Sequence, residues 1–153
     1  MPVTPSPVTT PLPDPIRHAE FYDGVATKRG LAWVVDLILT FLICLLILPF
    51  TAFTALFFWP LLFFAVNTAY RIVSLTRSSA TPGMRLMAIE FRRPDGAPFD
   101  LATATEHTLA FLLSWGMVLP QVVSGVMMLL GARAQGLTDL FLGTVAINRP
   151  ARR

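Results

Sequence analysis

The sequence predicts an all-α membrane protein, a transmembrane helical bundle with a small cytoplasmic β-hairpin. Hydrophobic residues make up 54% of the 153 residues and charged residues only 14%, whereas soluble domains carry about 25% charged residues. The apolar residues are gathered in three long regions, and basic residues stand at the ends of these regions. Both observations favour a chain whose solvent is partly lipid.

The first two apolar regions, 31–50 and 51–70, predict a helical hairpin. About 20 apolar residues in a helix cover the hydrocarbon core of a bilayer, so one straight helix of about 40 residues would overshoot it. Pro49 marks the expected turn. Pro60 stands in the middle of the second region, and we expect it to kink that helix, as transmembrane helices tolerate.

The third apolar region, 109–131, is interrupted by glycine, proline and serine. It is compatible with one kinked crossing and also with a helical hairpin broken at Pro120. A capping-box pattern from Thr103 to Glu106 is expected to open this helical region.

Basic residues orient the predicted bundle, because cytoplasmic loops of membrane proteins concentrate Lys and Arg. They precede the first region, are absent between the first and second, and follow both the second and the third. These residues are Arg17, Lys28 and Arg29; Arg71, Arg77, Arg85, Arg92 and Arg93; and Arg133, Arg149, Arg152 and Arg153. The pattern predicts a cytoplasmic N-terminus, loop and C-terminus, and hence four crossings rather than three.

The predicted cytoplasmic loop contains a β-pattern. Apolar and polar residues alternate around 85–92, which indicates a half-buried strand, and Pro94-Asp95-Gly96 is typical of a turn. Residues 97–99 are the expected return strand, which Pro98 confines to an edge. The segment 143–147 is also β-prone and is expected to pair with 85–92 if both lie on one side of the membrane.

The ends of the chain differ from the apolar part. Residues 1–16 form a proline-rich segment that we expect to be disordered, 17–148 the membrane domain, and 149–153 a basic tail. No signal-peptide pattern opens the chain. The one cysteine, Cys44, lies in an apolar region, so no intrachain disulfide is expected.

Asp36 is the most informative residue, because a carboxylate within a transmembrane region marks a functional site by default. Arg29 lies on the same face of the helix but about 10 Å away along its axis, so Asp36 needs another partner. The returning second helix brings Asn67, Tyr70 and Arg71 to this depth. We therefore predict a polar cluster, either ion- or ligand-binding or structural, formed by Arg29, Asp36, Asn67, Arg71 and Asp139.

Other function classes have little support in the sequence. It contains no phosphate-binding glycine loop, no nucleophile elbow and no zinc-ligand spacing. We therefore expect no enzymatic activity, no cofactor and no metal centre. The basic residues flank apolar regions, so nucleic acid is not an expected partner. His107 either titrates near neutral pH or serves packing, and packing is the favoured interpretation.

Several motifs resemble those of the RDD family of membrane proteins, named for one arginine and two aspartates. Arg29 and Asp36 match the first two of these residues, within Arg29-Gly30-Leu31-Ala32-Trp33-Val34-Val35-Asp36, and Asp139 matches the third, within Leu137-Thr138-Asp139-Leu140-Phe141-Leu142-Gly143. The segment Thr81-Pro82-Gly83-Met84-Arg85 resembles the family's loop. The chain departs from the family in having Thr138 where a histidine is common and His107 where an arginine is common.

The resemblance implies a bacterial inner-membrane protein with a transport-related role for an ion or small solute. In the leading hypothesis Asp36 and Asp139 bind a cation or a proton, and Arg29 modulates their pKa. Because so few helices hardly enclose a pathway, we expect a homo-oligomer or a membrane-protein partner in the lipid bilayer. The alternative is a non-transporting accessory or assembly subunit in which the Arg and Asp residues are structural.

Overall fold

Two long apolar helices form the first half of the computed structural model, which describes residues 12–149. They are α1 (Val25–Ile47) and α2 (Trp59–Ser78). With their flanking 3-10 turns they become the continuous segments Ala19–Thr51 and Thr54–Ser78, and both are long and apolar enough to cross a membrane. The predicted hairpin of the first two apolar regions is confirmed.

The turn of this hairpin lies a few residues beyond Pro49. Pro49 is the second residue of a 3-10 segment, Leu48–Thr51, and the chain reverses at Ala52 and Phe53, whose φ angles are 47° and 62°. The expected kink at Pro60 is not found, because Pro60 lies in the first turn of α2 and not in the middle of a helix. The missing N–H of proline has no intrahelical partner in that turn anyway, so proline is tolerated there.

The third apolar region is broken, but not at Pro120. It forms α4 (Leu101–Trp115) and α5 (Val118–Leu130), which meet at an angle of 116°. The break falls at Gly116 and Met117, and Pro120 again lies in the first turn of the following helix, where it is tolerated. If the bent pair counts as one span, the described residues contain three candidate spans, and otherwise two.

The start of α4 is set by Asp100 and not by the predicted capping box. Asp100 Oδ1 accepts a hydrogen bond of 2.8 Å from the backbone N–H of Thr103. Thr103 is thus the third residue of the helix and not its cap. The backbone hydrogen bond of Thr103 holds the pKa of the Asp100 carboxyl below its usual value.

Two short strands, β1 (Ile89–Arg92) and β2 (Val145–Asn148), form an antiparallel sheet. Phe91 lies opposite Ala146, so the predicted long-range pairing is confirmed. The predicted hairpin is wrong, because residues 97–99 form no strand. Pro98 lacks a ladder N–H. Two backbone hydrogen bonds, from Arg93 N to Ala97 O and from Gly96 N to Arg93 O, close the turn.

Two short helices, α3 (Pro82–Leu86) and α6 (Leu137–Leu142), complete the fold. With the sheet they lie over one end of the bundle, where the main apolar core is found. Its members are Val25, Ala32, Leu75, Ala80, Met84, Ile89, Phe91, Phe99, Ala104, Ala134 and Ala146. Away from this end, side chains such as Leu46 and Phe57 are exposed by 69% and 86%, as expected of surfaces that face lipid.

The end of the proline-rich segment packs against this sheet. Leu12 is buried with Tyr22, Val145 and Ile147, and Tyr22 donates a hydrogen bond of 2.9 Å to the carbonyl of Pro13. Leu12 and Pro13, which belong to the segment predicted to be disordered, therefore have defined contacts with the folded domain. Residues 1–11 of that segment and residues 150–153 of the basic tail lie outside the described residues.

Candidate functional site at one end of the bundle

Asp139 is fully buried near the start of α6, and its carboxylate accepts four hydrogen bonds. The guanidinium of Arg29 donates to Oδ2, and so does the backbone N–H of Gly136 at 3.0 Å. His107 Nε2 lies 2.8 Å from Oδ1, and the Thr144 hydroxyl donates to the same oxygen at 3.3 Å. Since a carboxylate only accepts, His107 carries its proton on Nε2 here.

The charge of Asp139 is stabilised by these partners. Burial opposes its ionisation, but the positive charge of Arg29 and the hydrogen bond from His107 outweigh that cost, so the pKa of Asp139 lies below its usual value. Arg29 also donates to the Ala134 carbonyl at 3.1 Å and lies over the ring of Phe91. This group, Arg29, His107, Asp139 and Thr144, ties α1, α4 and α6 together.

Asp36 is held by a different set of partners. Oδ1 accepts from the Tyr70 hydroxyl at 2.7 Å and from the Gly83 backbone N–H at 2.8 Å, and Oδ2 accepts from the Thr81 hydroxyl. Asp36 is only 6% exposed. It therefore fastens α3 and the turn before it to α1 and α2.

Gly83 makes this fastening possible through its close approach to α1. A Cβ atom at this position would lie 2.3 Å from the backbone oxygen of Ala32 and 2.8 Å from Asp36 Oδ1. No side chain larger than hydrogen fits between α3 and α1 at this point.

Arg71 lies between the two aspartate groups and is bound by neither. It is 7% exposed, and its guanidinium carbon lies 4.0 Å from the centre of the Phe111 ring, a cation–π contact. Its Nε is buried without a hydrogen-bond partner among residues 12–149. A buried charge without such a partner is costly, so Arg71 is the buried charged member of the predicted cluster that still has an unused donor.

Arg71 lines a cavity of about 500 Å³ between α1, α2, α4 and α5, with α3 and β1 also contributing to its walls. The walls are largely aromatic and apolar, with Trp33 and Trp115 stacked at 5.6 Å between ring centroids. The charged residues that line it are Arg29, Asp36 and Arg71. Asp139 is not part of the lining, so two arginines face the cavity with one carboxylate.

The predicted cluster thus divides into two aspartate groups with Arg71 between them. Arg29 pairs with Asp139 and not with Asp36. Asn67 is half-buried on α2, but its side chain has no hydrogen bond to the other four residues, and it does not line the cavity. No contact therefore supports the expected membership of Asn67 in the cluster.

Sequence reasoning missed several residues that complete these groups. The favoured packing role of His107 agrees with its burial against the rings of Phe91 and Phe99. Its hydrogen bond to Asp139, and that of Thr144, have no signal in the sequence. Thr81 and Gly83 belong to the loop motif that resembles the family's. Hydropathy cannot show that this loop contacts Asp36. Of the residues that bind the two aspartates without belonging to the predicted cluster, only Tyr70 is placed by the sequence at the depth of Asp36.

Similarity to known proteins is found at the level of the family. The model of the RDD family matches residues 24–143, which cover most of the chain and include Arg29, Asp36 and Asp139. No curated protein and no solved structure matches the chain.

Proposed function

The chain belongs to the RDD family, and on that premise we propose that it binds a small, partly apolar organic anion in the cavity beside Arg71, as part of a transport-related role. The observation that carries this proposal is Arg71 itself. A guanidinium that is 7% exposed, with its Nε unpartnered, lines a cavity of ligand size.

The shape and lining of the cavity support an amphipathic ligand. Its volume, about 500 Å³, lies within the range of roughly 300–1,000 Å³ common for small-molecule sites. Such sites usually combine apolar walls with a few polar groups that fix the ligand's orientation. Arg71 and the amide of Gln121 are such groups here, and a carboxylate or phosphate matches the planar donor set of arginine.

The two aspartates fit a structural role better than the binding of a cation. Asp139 accepts four hydrogen bonds and Asp36 three from the protein, which leaves little lone-pair capacity for an ion. Both fasten short helices over the bundle. We therefore propose that Arg29, Asp36 and Asp139 hold the end of the bundle that positions Arg71.

The cellular setting is part of the same proposal. The apolar helices and the family indicate a membrane protein. We propose a bacterial inner membrane with the arginine-rich end in the cytoplasm, because Lys and Arg concentrate on that side. Because the few spans of one chain hardly enclose a pathway, the transporting form is proposed to be a homo-oligomer or a complex with another membrane protein.

Binding of octanoate, with octanol as the uncharged comparison, tests the proposal. Trp33 and Trp115 line the cavity, so the tryptophan fluorescence of the purified protein in nanodiscs reports occupancy. Arg71→Gln is expected to weaken octanoate binding about 10-fold or more, since a hydrogen bond to a charged group is worth about 1.5–3 kcal/mol. Arg71→Lys keeps the charge and is expected to retain part of the affinity.

Arg17→Gln, which changes an exposed arginine outside the cavity, is the matched control and is expected to bind like the wild type. Equal binding of octanoate and octanol, or an unchanged affinity in Arg71→Gln, would rule out the anion site. Octanoate flux in proteoliposomes tests the transport part separately. Binding without flux above that of empty liposomes would leave a binding protein and exclude a transporter.

A further inference from the structure

A second concave site, unrelated to the cavity of Arg71, lies where α2 ends. It has a volume of about 1,100 Å³ and is formed by the last turns of α2, the start of α3, β1 and the residues before α4. Four arginines line it: Arg77, Arg85, Arg92 and Arg149. We call it the arginine pocket.

The charges in the arginine pocket are unbalanced. Glu90 is its one carboxylate, and that carboxylate is already bound by Arg92 and, at 2.9 Å, by Arg149. Arg77 and Arg85 have no salt bridge or side-chain hydrogen bond to any residue between Leu12 and Arg149. Two guanidinium groups are therefore free to bind an anion with several oxygen atoms, such as a phosphate.

The position of the arginine pocket points to a lipid as the source of that phosphate. The candidate span Thr54–Ser78 ends in it, so it lies at the depth where headgroups meet the hydrocarbon. Val73 belongs to its lining and is 48% exposed, and Leu86, next to Arg85 in the chain, is 68% exposed. These two exposed apolar side chains are available for contact with the acyl chain of a lipid whose headgroup lies in the pocket.

We propose that the arginine pocket binds the phosphate headgroup of an anionic phospholipid through Arg77 and Arg85. Basic pockets at membrane-facing helix ends are a recurrent form of lipid recognition. The paired residues Glu90, Arg92 and Arg149 form the fixed wall, and Arg77 and Arg85 supply the unpaired charge. The lipid would hold the end of α2 at a defined depth in the bilayer.

Native mass spectrometry of the full chain, released from nanodiscs, measures this binding. The probes are phosphatidylglycerol and, at equal acyl composition, zwitterionic phosphatidylcholine. We expect selective retention of phosphatidylglycerol. A basic residue near the surface contributes about fivefold to the affinity, so Arg77→Gln and Arg85→Gln are each expected to reduce retention by about that factor, and the double variant by roughly 25-fold. Arg17→Gln is the control for charge outside the pocket.

Four results would overturn the proposal. Equal retention of the two lipids removes the selectivity, and equal loss in Arg17→Gln assigns the effect to overall charge. Full displacement of phosphatidylglycerol by millimolar glycerol phosphate would identify a water-soluble phosphate as the ligand. The thermal unfolding of each variant is measured alongside; a variant that unfolds like the wild type and still binds phosphatidylglycerol as tightly also refutes the assignment of its arginine.

Discussion

The replacement Asp139→Asn isolates the contribution of the most enclosed charge in the described part of the protein. The carboxylate is fully buried, and the change leaves Arg29, whose side chain is 14% exposed, without its ion pair. Removal of one partner of a buried pair costs about 3–5 kcal/mol. The same change at Asp100, whose side chain is 53% exposed, is the matched control.

Asp100→Asn is expected to cost little, because asparagine is nearly as good a helix N-cap as aspartate and an exposed ion pair contributes about 0–1 kcal/mol. For a protein of this size 1 kcal/mol shifts Tm by about 2–4 °C, so Asp139→Asn is expected to lower Tm by roughly 6–20 °C. The assay is thermal unfolding of the purified protein in detergent, followed by loss of monodispersity.

A double-mutant cycle with Arg29→Gln assigns this loss to the ion pair. If the two side chains act on each other, the double variant loses less stability than the sum of the single variants, with a coupling of about 0.5–3 kcal/mol. Equal Tm values for Asp139→Asn and Asp100→Asn would refute the structural role of Asp139. An additive cycle would refute its dependence on Arg29.

The pKa of Asp139 is lower in the folded protein than in the unfolded chain, so the ionised carboxylate stabilises the folded protein at pH values above its unfolded pKa of about 3.9. This stabilisation begins to decrease as the pH falls below about 3.9 and is fully lost only below the folded pKa. Tm measured from pH 7 to 3 should therefore fall less in Asp139→Asn than in the wild type. Gly83→Ala would place its Cβ 2.3 Å from the Ala32 oxygen and is expected to abolish accumulation in membranes, whereas Gly30→Ala, whose Cβ meets nothing within 4 Å, should accumulate normally on an immunoblot. Tyr70→Phe removes one hydrogen bond to Asp36 and should cost about 1.5–3 kcal/mol; a Tm within 1–2 °C of the wild type, by the same scale, would contradict that contact.

The helical half of this fold was predictable because hydropathy and length determine it. Positions of the breaks were not, since Pro60 and Pro120 both lie in first turns, where proline is tolerated, and Gly116 marks the real bend. The long-range sheet followed from β-prone segments, but the competing hairpin failed at Pro98, which cannot donate to a ladder.

The sequence predicts which charged residues lie at the site, but not which side chains bind each other there. The cost of a buried charge identified Asp36, and helix depth placed Tyr70 beside it. Neither argument indicates that α3 folds back onto α1, because that contact depends on the absence of a Cβ at Gly83. The unpartnered state of Arg71 is a property of the packed structure alone.

The most direct test of the anion site measures the distance between ligand and arginine. Solid-state NMR of the protein in lipid, with ¹⁵N-labelled arginine and octanoate labelled with ¹³C at the carboxyl group, detects the dipolar coupling between the two. The account predicts a coupling that corresponds to roughly 4 Å, as hydrogen bonds of 2.7–2.9 Å between these groups require, and its loss in Arg71→Gln. A wild-type spectrum without this coupling, or one that Arg71→Gln leaves unchanged, would contradict the proposed site.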